Sequence, residues 1–304
     1  MTGRLGDRPI FTALLGACCI AFSAIFFKLA HVSPSTGAFF RCLWAVPPLW
    51  LLARREDGRF GPRAPRARAF AALAGLIFAV DLIVWNRAIE EVGAGLATVL
   101  GNLQVVLVAP IAWLVLSERP RTSALAAIPV ALLGVVLISG VVGADAYGRN
   151  PKLGVAYGIL TAFAYTGFLL TLRASSSDRR RVAGPLSDAT AVAALGCIGL
   201  GTVFGDLDLT PSWSAQGWLV LLALTSQVLG WLVISISLPR LPAALTSVLL
   251  TLQPVLSVLF AAAILGEAPS GLQLLGVVFV LAALLVASAG RREPRRAAEP
   301  ALAE

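Results

Sequence analysis

Three residues draw attention because they ionise inside apolar sequence: Lys28, Arg41 and Asp81. A charge near a bilayer centre costs about 2.5–3.5 kcal/mol on insertion scales, so such groups are either paired or used. Asp81 can pair with Lys28 or Arg41, leaving one cation to hold the carboxylate of a solute, or it can itself carry a proton. The plainer alternatives are a lasting ion pair that ties helices together and a Lys28 that snorkels to the interface. Trp85 follows Asp81 by four residues and shares its helix face, with Asn86 beside it, and Gln227, Trp231 and Ser235 repeat the four-residue spacing. Two stripes of tryptophan and polar groups suit an amphipathic or aromatic solute, although tryptophan also belongs at lipid interfaces. Asn102, Gln104 and Gln253 complete the polar set; hydrogen bonding between helices is their simplest role. The expected solute-binding residues are therefore Lys28, Arg41, Asp81, Trp85, Asn86, Asn102, Gln104, Gln227, Trp231 and Gln253, with Asp81 the candidate for proton coupling.

Pro110 and Pro254 cannot donate to the carbonyls of Val106 and Leu250, so they are expected to kink their helices near a solute path or gate. Glu118 and Glu267 each sit at a helix end closely followed by proline, where a carboxylate anchors a loop. Enzyme chemistry finds no foothold. Cys18, Cys19, Cys42 and Cys197 lack CxxC spacing, and the single His31 cannot complete a zinc set, so neither metal nor cofactor is expected. Asp206 and Asp208 are adjacent acids in a loop, and no GxxxxGK[ST] segment is present for ATP.

These side chains must be positioned by membrane-spanning helices. Of 304 residues, 58% are hydrophobic and 13% charged, with a mean hydropathy of +0.85. A soluble domain carries about 25% charge, so an integral membrane protein is the class that fits, with the lipid bilayer as its surroundings. Ten apolar runs have the length that crosses about 30 Å of hydrocarbon. They lie at 10–30, 35–53, 69–88, 94–116, 122–142, 152–172, 186–204, 214–236, 243–265 and 270–289, the seventh being short and rich in Gly and Ala. The first follows Arg4 and Arg8 as a signal peptide would, but no small-residue cleavage site comes after it, so it is read as a helix. With an inside N-terminus, 19 of the 24 Lys and Arg fall in cytoplasmic segments and only Arg87, Arg149 and Lys152 in external loops. That asymmetry predicts both termini in the cytoplasm. It also uses the net charge of +8 without nucleic acid, for which no stretch interleaves arginine with aromatics. On this topology Lys28, Arg41 and Asp81 differ in depth by only about 6 Å, all in the outer half.

The sequence contains a repeat. Residues 92–120 align without a gap on 241–269, pairing Gln104 with Gln253, Glu118 with Glu267 and Pro120 with Pro269. A unit of five spans is odd, so its second copy enters the membrane from the opposite side. The N-L-Q-V-V…S-E-R-P and L-Q-P-V…L-G-E-A-P stretches, the segment Ser33 to Arg41 and the 5+5 layout resemble the EamA-type drug/metabolite transporter superfamily. The resemblance spans about residues 10 to 290 and implies a basket of ten helices around a central solute path, most members exporting amino acids and other metabolites. The expected fold is all-α and integral to the membrane: ten helices as two inverted five-helix repeats around a central cavity. One repeat covers 1–145, the other 146–290, and a basic cytoplasmic tail covers 291–304. The expected function is secondary-active export of small metabolites such as amino acids from the cell (inner) membrane, by alternating access and with proton coupling. The alternatives are export of organic cations and drugs, or a carrier of sugars and nucleotide sugars, or a channel. A small-molecule solute is the expected partner; monomer and homodimer both stay open, Gly201-xxx-Gly205 being a weak contact motif.

Overall fold

The computed structural model describes residues 9–116, 122–143, 145–175, 181–237 and 243–289. Among them all regular structure is helical. The first span is two helices, α1 (Pro9–Ala21) and α2 (Ser23–Ala30), broken at Phe22. Then come α3 (Pro34–Phe60) and α4 (Pro65–Val92), each begun by a proline whose missing N–H costs nothing at that position. The fourth span is divided into α5 (Ala94–Gly101) and α6 (Gln104–Leu116), and α7 (Thr122–Ile138) ends the first copy. The second copy contains α8 (Pro151–Ser175) and α9 (Ala183–Phe204). Its next span is α10 (Trp213–Leu222), a π-helical segment (Ala223–Gly230) and α11 (Trp231–Ser237), followed by α12 (Ala243–Leu265) and α13 (Gly271–Ala289).

Six helical stretches are long and apolar enough to cross a membrane: Ile10–Ala30, Pro34–Phe60, Pro65–Val92, Pro151–Ser175, Ala183–Phe204 and Trp213–Ile234. The other four expected spans carry shorter apolar helices, at Ala94–Val108, Leu125–Ile138, Thr251–Leu265 and Gly271–Ala287. The seventh run, short by composition, is instead a full 22-residue helix, because Ala183 to Pro185 continue it toward the N-terminal side of the apolar stretch.

The packing repeats itself when the two copies are exchanged. Helix α4 lies on α8, as α10, the π-helical segment and α11 lie on α1 and α2; α3 pairs with α9, α7 with α13, and α5 with α12. Small residues permit the closest approaches, as expected where lipid supplies no hydrophobic drive between helices. A Cβ on Gly134 would lie 2.7 Å from the carbonyl oxygen of Gly276, and one on Gly276 2.6 Å from that of Gly134. A Cβ on Gly75 would stand 2.4 Å from the Ala189 carbonyl oxygen, so α4 and α9 touch backbone to backbone. Large apolar side chains such as Leu195, Val203 and Leu132 remain exposed on the outside, the surface that lipid would cover.

A cavity of about 490 Å³ lies at one end, between the α2–α3 turn (His31, Ser33) and the loop around Asp206 and Asp208, rather than around Arg41. Around Arg41, aromatic rings pack about the charged residues described next.

Candidate functional site

Arg41, on α3, is only 6% exposed. Its guanidinium is held by both halves of the chain: Nη1 donates to Ser23 Oγ at 2.9 Å and Nε to Gln227 Oε1 at 3.0 Å. Gln227 is fully buried in the π-helical segment, and its Nε2 donates to Thr190 Oγ1 on α9 at 3.3 Å. A π-helical turn widens the backbone and commonly marks functional positions; here it accompanies the amide that faces the arginine. Nη2 makes no hydrogen bond among the described residues.

Aromatic rings wall this cation. Its Cζ stands 5.9 Å from the centroid of Phe78 and 5.7 Å from that of Trp85. Phe78 stacks on Phe168 at 4.3 Å, and Trp231 meets Phe168 edge-on at 5.6 Å and Tyr165 at 6.3 Å. Each cation–π contact is worth about 0.5–2 kcal/mol, the upper figure when water is excluded. The rings therefore help hold a charge that burial alone would penalise.

Asp81 is buried on α4, and its Oδ1 is sealed from solvent with no donor. It is an electrostatic neighbour of Arg41 and of Tyr165, but no ion pair within 4.0 Å joins it to Arg41. A lasting Arg41–Asp81 bridge is therefore corrected: the guanidinium spends its donors on Ser23 and Gln227. Lys28 is not part of this cluster either. Its charge acts on Glu90 and Glu267, near the end of α4 and beyond α12, because α2 carries it toward that end of the bundle.

The other expected polar residues scatter. Asn86 donates to the Pro34 carbonyl at 2.9 Å and fastens α4 to the start of α3. Asn102 donates to the Thr98 carbonyl at 2.8 Å within its own span. Gln104 and Gln253 are half-buried, and their side chains make no hydrogen bond among the described residues. Pro110 and Pro254 lie inside α6 and α12, which continue through them. Glu118 and the side chain of Ser235 lie outside the described residues. Sequence reasoning missed Ser23, Phe78, Tyr165, Phe168 and Thr190. Phe78 offered a signal, standing three residues before Asp81 on the same helix face; the others come from helices whose approach no spacing reveals.

At the end of α4 a second polar cluster forms. Glu267 Oε1 accepts from Ala94 N at 2.6 Å and Oε2 from Gly95 N at 3.1 Å, so this loop residue of the second copy caps α5 of the first. Gly93, at φ +92°, is required there, since a Cβ would lie 2.8 Å from Glu267 Oε2. Burial pushes the Glu267 carboxyl above the usual carboxylate range, against the two amide donors and the charge of Lys28. Nearby, Glu91 pairs with Arg149, and Arg87 bonds Asp206 at 3.0 Å while resting over Phe204. Among the described residues no group of three or more His, Cys, Asp or Glu could hold a metal ion.

No curated protein matches the sequence. Twenty-five chains of solved structures do match. One of them, a crystal structure of a protein, superposes with a TM-score of 0.62 over 92% of this chain and 98% of its own at 17% identity, a likeness of fold. The model of the EamA-like transporter family matches twice, over residues 7–140 and 152–289, one match to each copy of the repeat. Together these matches cover nearly the whole chain, which thus belongs to the EamA-like transporter family and is a multi-pass membrane transporter of the drug/metabolite type.

Proposed function

We propose that the protein is a secondary-active exporter of small metabolites such as amino acids, working by alternating access across the cell's inner membrane. In this reading ten spans form two inverted repeats and both termini are cytoplasmic, as the distribution of Lys and Arg supports. The observation that carries the reading is Arg41: a buried guanidinium shared between the two copies through Ser23 and Gln227, with aromatic walls and one end unpartnered. A solute carboxylate bonded there would touch a residue that both copies hold, so its arrival and departure would be felt by both. Asp81, buried without a donor, is the proton carrier: one proton satisfies Oδ1 in place of a missing partner.

Counterflow in proteoliposomes tests this, with labelled amino acids, sugars and organic cations offered to protein preloaded with one candidate solute. Stimulated amino-acid entry that is lost in Arg41→Gln supports the reading, and an Asp81→Asn protein that keeps its full pH dependence removes the proton role. A second reading has its own observation. An unpartnered carboxylate oxygen among aromatic rings also suits an organic cation. Cation entry without any amino-acid signal would favour that reading.

A further inference from the structure

Two carboxylates cross from one copy of the repeat to the other, and they do so at opposite ends of the molecule. Glu267, after α12, caps α5 through Ala94 and Gly95. Glu56, near the end of α3, caps α9: Oε1 accepts from Val182 N at 3.0 Å and Ala183 N at 2.9 Å, and Oε2 from Gly184 N at 2.8 Å. Helix α4 separates the two. Its first residue follows the α3–α4 turn and its last precedes Gly93, so 28 residues, or about 42 Å of helix, lie between the caps. Each cap is set among further charges. Arg63 bonds Asp188 at 2.8 Å and Arg181 bonds Asp57 at 3.3 Å beside Glu56, while Glu267 lies near Lys28 and Tyr147.

Each capped helix leads to the central site. α5 is a buried eight-residue piece, bounded by Gly93 at one end and the break at Asn102 at the other. A Cβ on Gly101, its last residue, would sit 3.8 Å from Trp85 Nε1. α9 carries Thr190, which receives the hydrogen bond from Gln227 and so reaches Arg41. We propose that Glu267 and Glu56 are the two gate latches, each closing one membrane face by gripping the N-terminus of a helix from the opposite copy. Both are engaged in this structure. Alternating access then releases one latch at a time. The inference rests on the transporter reading, since gates have meaning only for a solute that crosses.

The test uses the full chain in lipid vesicles with Cys18, Cys19, Cys42 and Cys197 replaced by alanine. Two reporters are then placed singly, Thr98→Cys on α5 and Ser187→Cys on α9, both buried positions. A membrane-impermeant maleimide is applied from each side in turn. Glu267→Gln should speed labelling of the α5 reporter at least about tenfold, from the Ala94 face alone, because two charge-assisted hydrogen bonds are weakened. It should leave the α9 reporter unchanged, and Glu56→Gln should do the reverse. Unchanged rates, or both reporters accelerating together in either variant, overturn the proposal, the latter outcome meaning a general loosening. If Glu267→Gln does not yield monodisperse protein, Glu267→Asp carries the same test, keeping the charge and losing the reach. No solute enters this readout, so failure of the latches and failure of the exporter reading are told apart: one shows in labelling, the other in counterflow.

Discussion

In the first copy of the repeat the fourth span stops at Gly101 and resumes at Gln104; in the second the corresponding residues, Leu250 to Gln253, run through one helix. The difference has a local cause. Asn102 sends both its backbone N–H and its side-chain Nδ2 to the Thr98 carbonyl, at 3.2 and 2.8 Å, and the next bonds reach back only three residues. Short polar side chains that bond the backbone in this way compete with the helix, and glycine beside them weakens it further. The second copy has leucine and threonine at these positions. It is irregular elsewhere, in the π-helical segment that carries Gln227. The chemistry is divided in the same manner. Both charges of the central site, Arg41 and Asp81, belong to the first copy with the two rings over the guanidinium, and the second supplies the amide and the rings Tyr165, Phe168 and Trp231 packed behind them. A symmetric scaffold thus carries an asymmetric site, and the symmetry is kept where helices pack rather than where polar groups meet.

The largest effect should come from the residue that joins the copies. Arg41→Lys keeps the charge but has no planar fork to bond Ser23 and Gln227 together, so it should not rescue the site. Counterflow should fall by roughly a hundredfold, as expected when a buried charge loses its geometry. Lysine restoring wild-type rates would mean that charge alone suffices and that the contribution of the second copy is incidental.

The packing symmetry is sharpened by Gly134→Leu. The new side chain meets the Gly276 backbone on α13, which cannot yield as a side chain would. Overpacking of this kind costs about 1–3 kcal/mol, read as a lowered melting temperature in detergent or lipid. The same substitution at Gly199, which has nothing within 4 Å of a Cβ, should leave stability nearly unchanged. Equal losses at the two sites would show that helix propensity, not the α7–α13 contact, was being measured.

A smaller effect is expected from grafting one copy onto the other. Asn102→Thr places the residue of the second copy at the break of the first and removes the bond from Nδ2 to the Thr98 carbonyl. Stability should change by no more than about 1 kcal/mol, the net worth of one such bond. The signature should be stronger amide protection at residues 102–104 in hydrogen exchange, as the two half-helices join. Protection that stays low would assign the break to packing around Gly101 rather than to Asn102.

Much of this architecture is legible in the sequence because it follows from lipid. Apolar length gives the helices, the Lys and Arg distribution gives a sidedness, and the Gln, Glu and Pro matches expose the repeat. Arg41, Asp81, Trp85, Gln227 and Trp231 are readable as a set because charge and amide inside apolar sequence are expensive and therefore conspicuous. What is not legible is pairing. Nothing in spacing says that Arg41 prefers Gln227 and Ser23 to Asp81, since that choice is made by how α3 lies against α1, α2 and the π-helical segment. Asn86 shows the converse: a polar neighbour of Trp85 that turns to the Pro34 carbonyl, one position around the helix and out of the site. Lys28 was conspicuous for the same reason as Arg41, yet its depth places it with Glu90 and Glu267.

The least effect, and the most discriminating between the two ends, concerns pH at Glu267. Burial raises its carboxyl above the usual carboxylate range, outweighing the Ala94 and Gly95 donors and Lys28, with Tyr147 the other titratable group against it. The folded chain therefore binds this proton more tightly than an unfolded chain does. As pH falls through the interval between the ordinary carboxylate value and the raised one, global stability gains from this group rather than losing. The cap itself weakens over the same interval, because a protonated carboxyl has one oxygen that donates and can no longer accept well from both amides. Acidification should thus loosen α5 without unfolding the protein. Labelling of the Thr98→Cys reporter should rise severalfold on acidification relative to the same reporter in Glu267→Gln, a comparison that cancels the pH dependence of the thiol, and by no more than Glu267→Gln itself produces, since a protonated carboxyl and an amide each keep one good acceptor oxygen. An identical pH response in the two backgrounds would assign the effect to another group and leave Glu267 as a fixed cap.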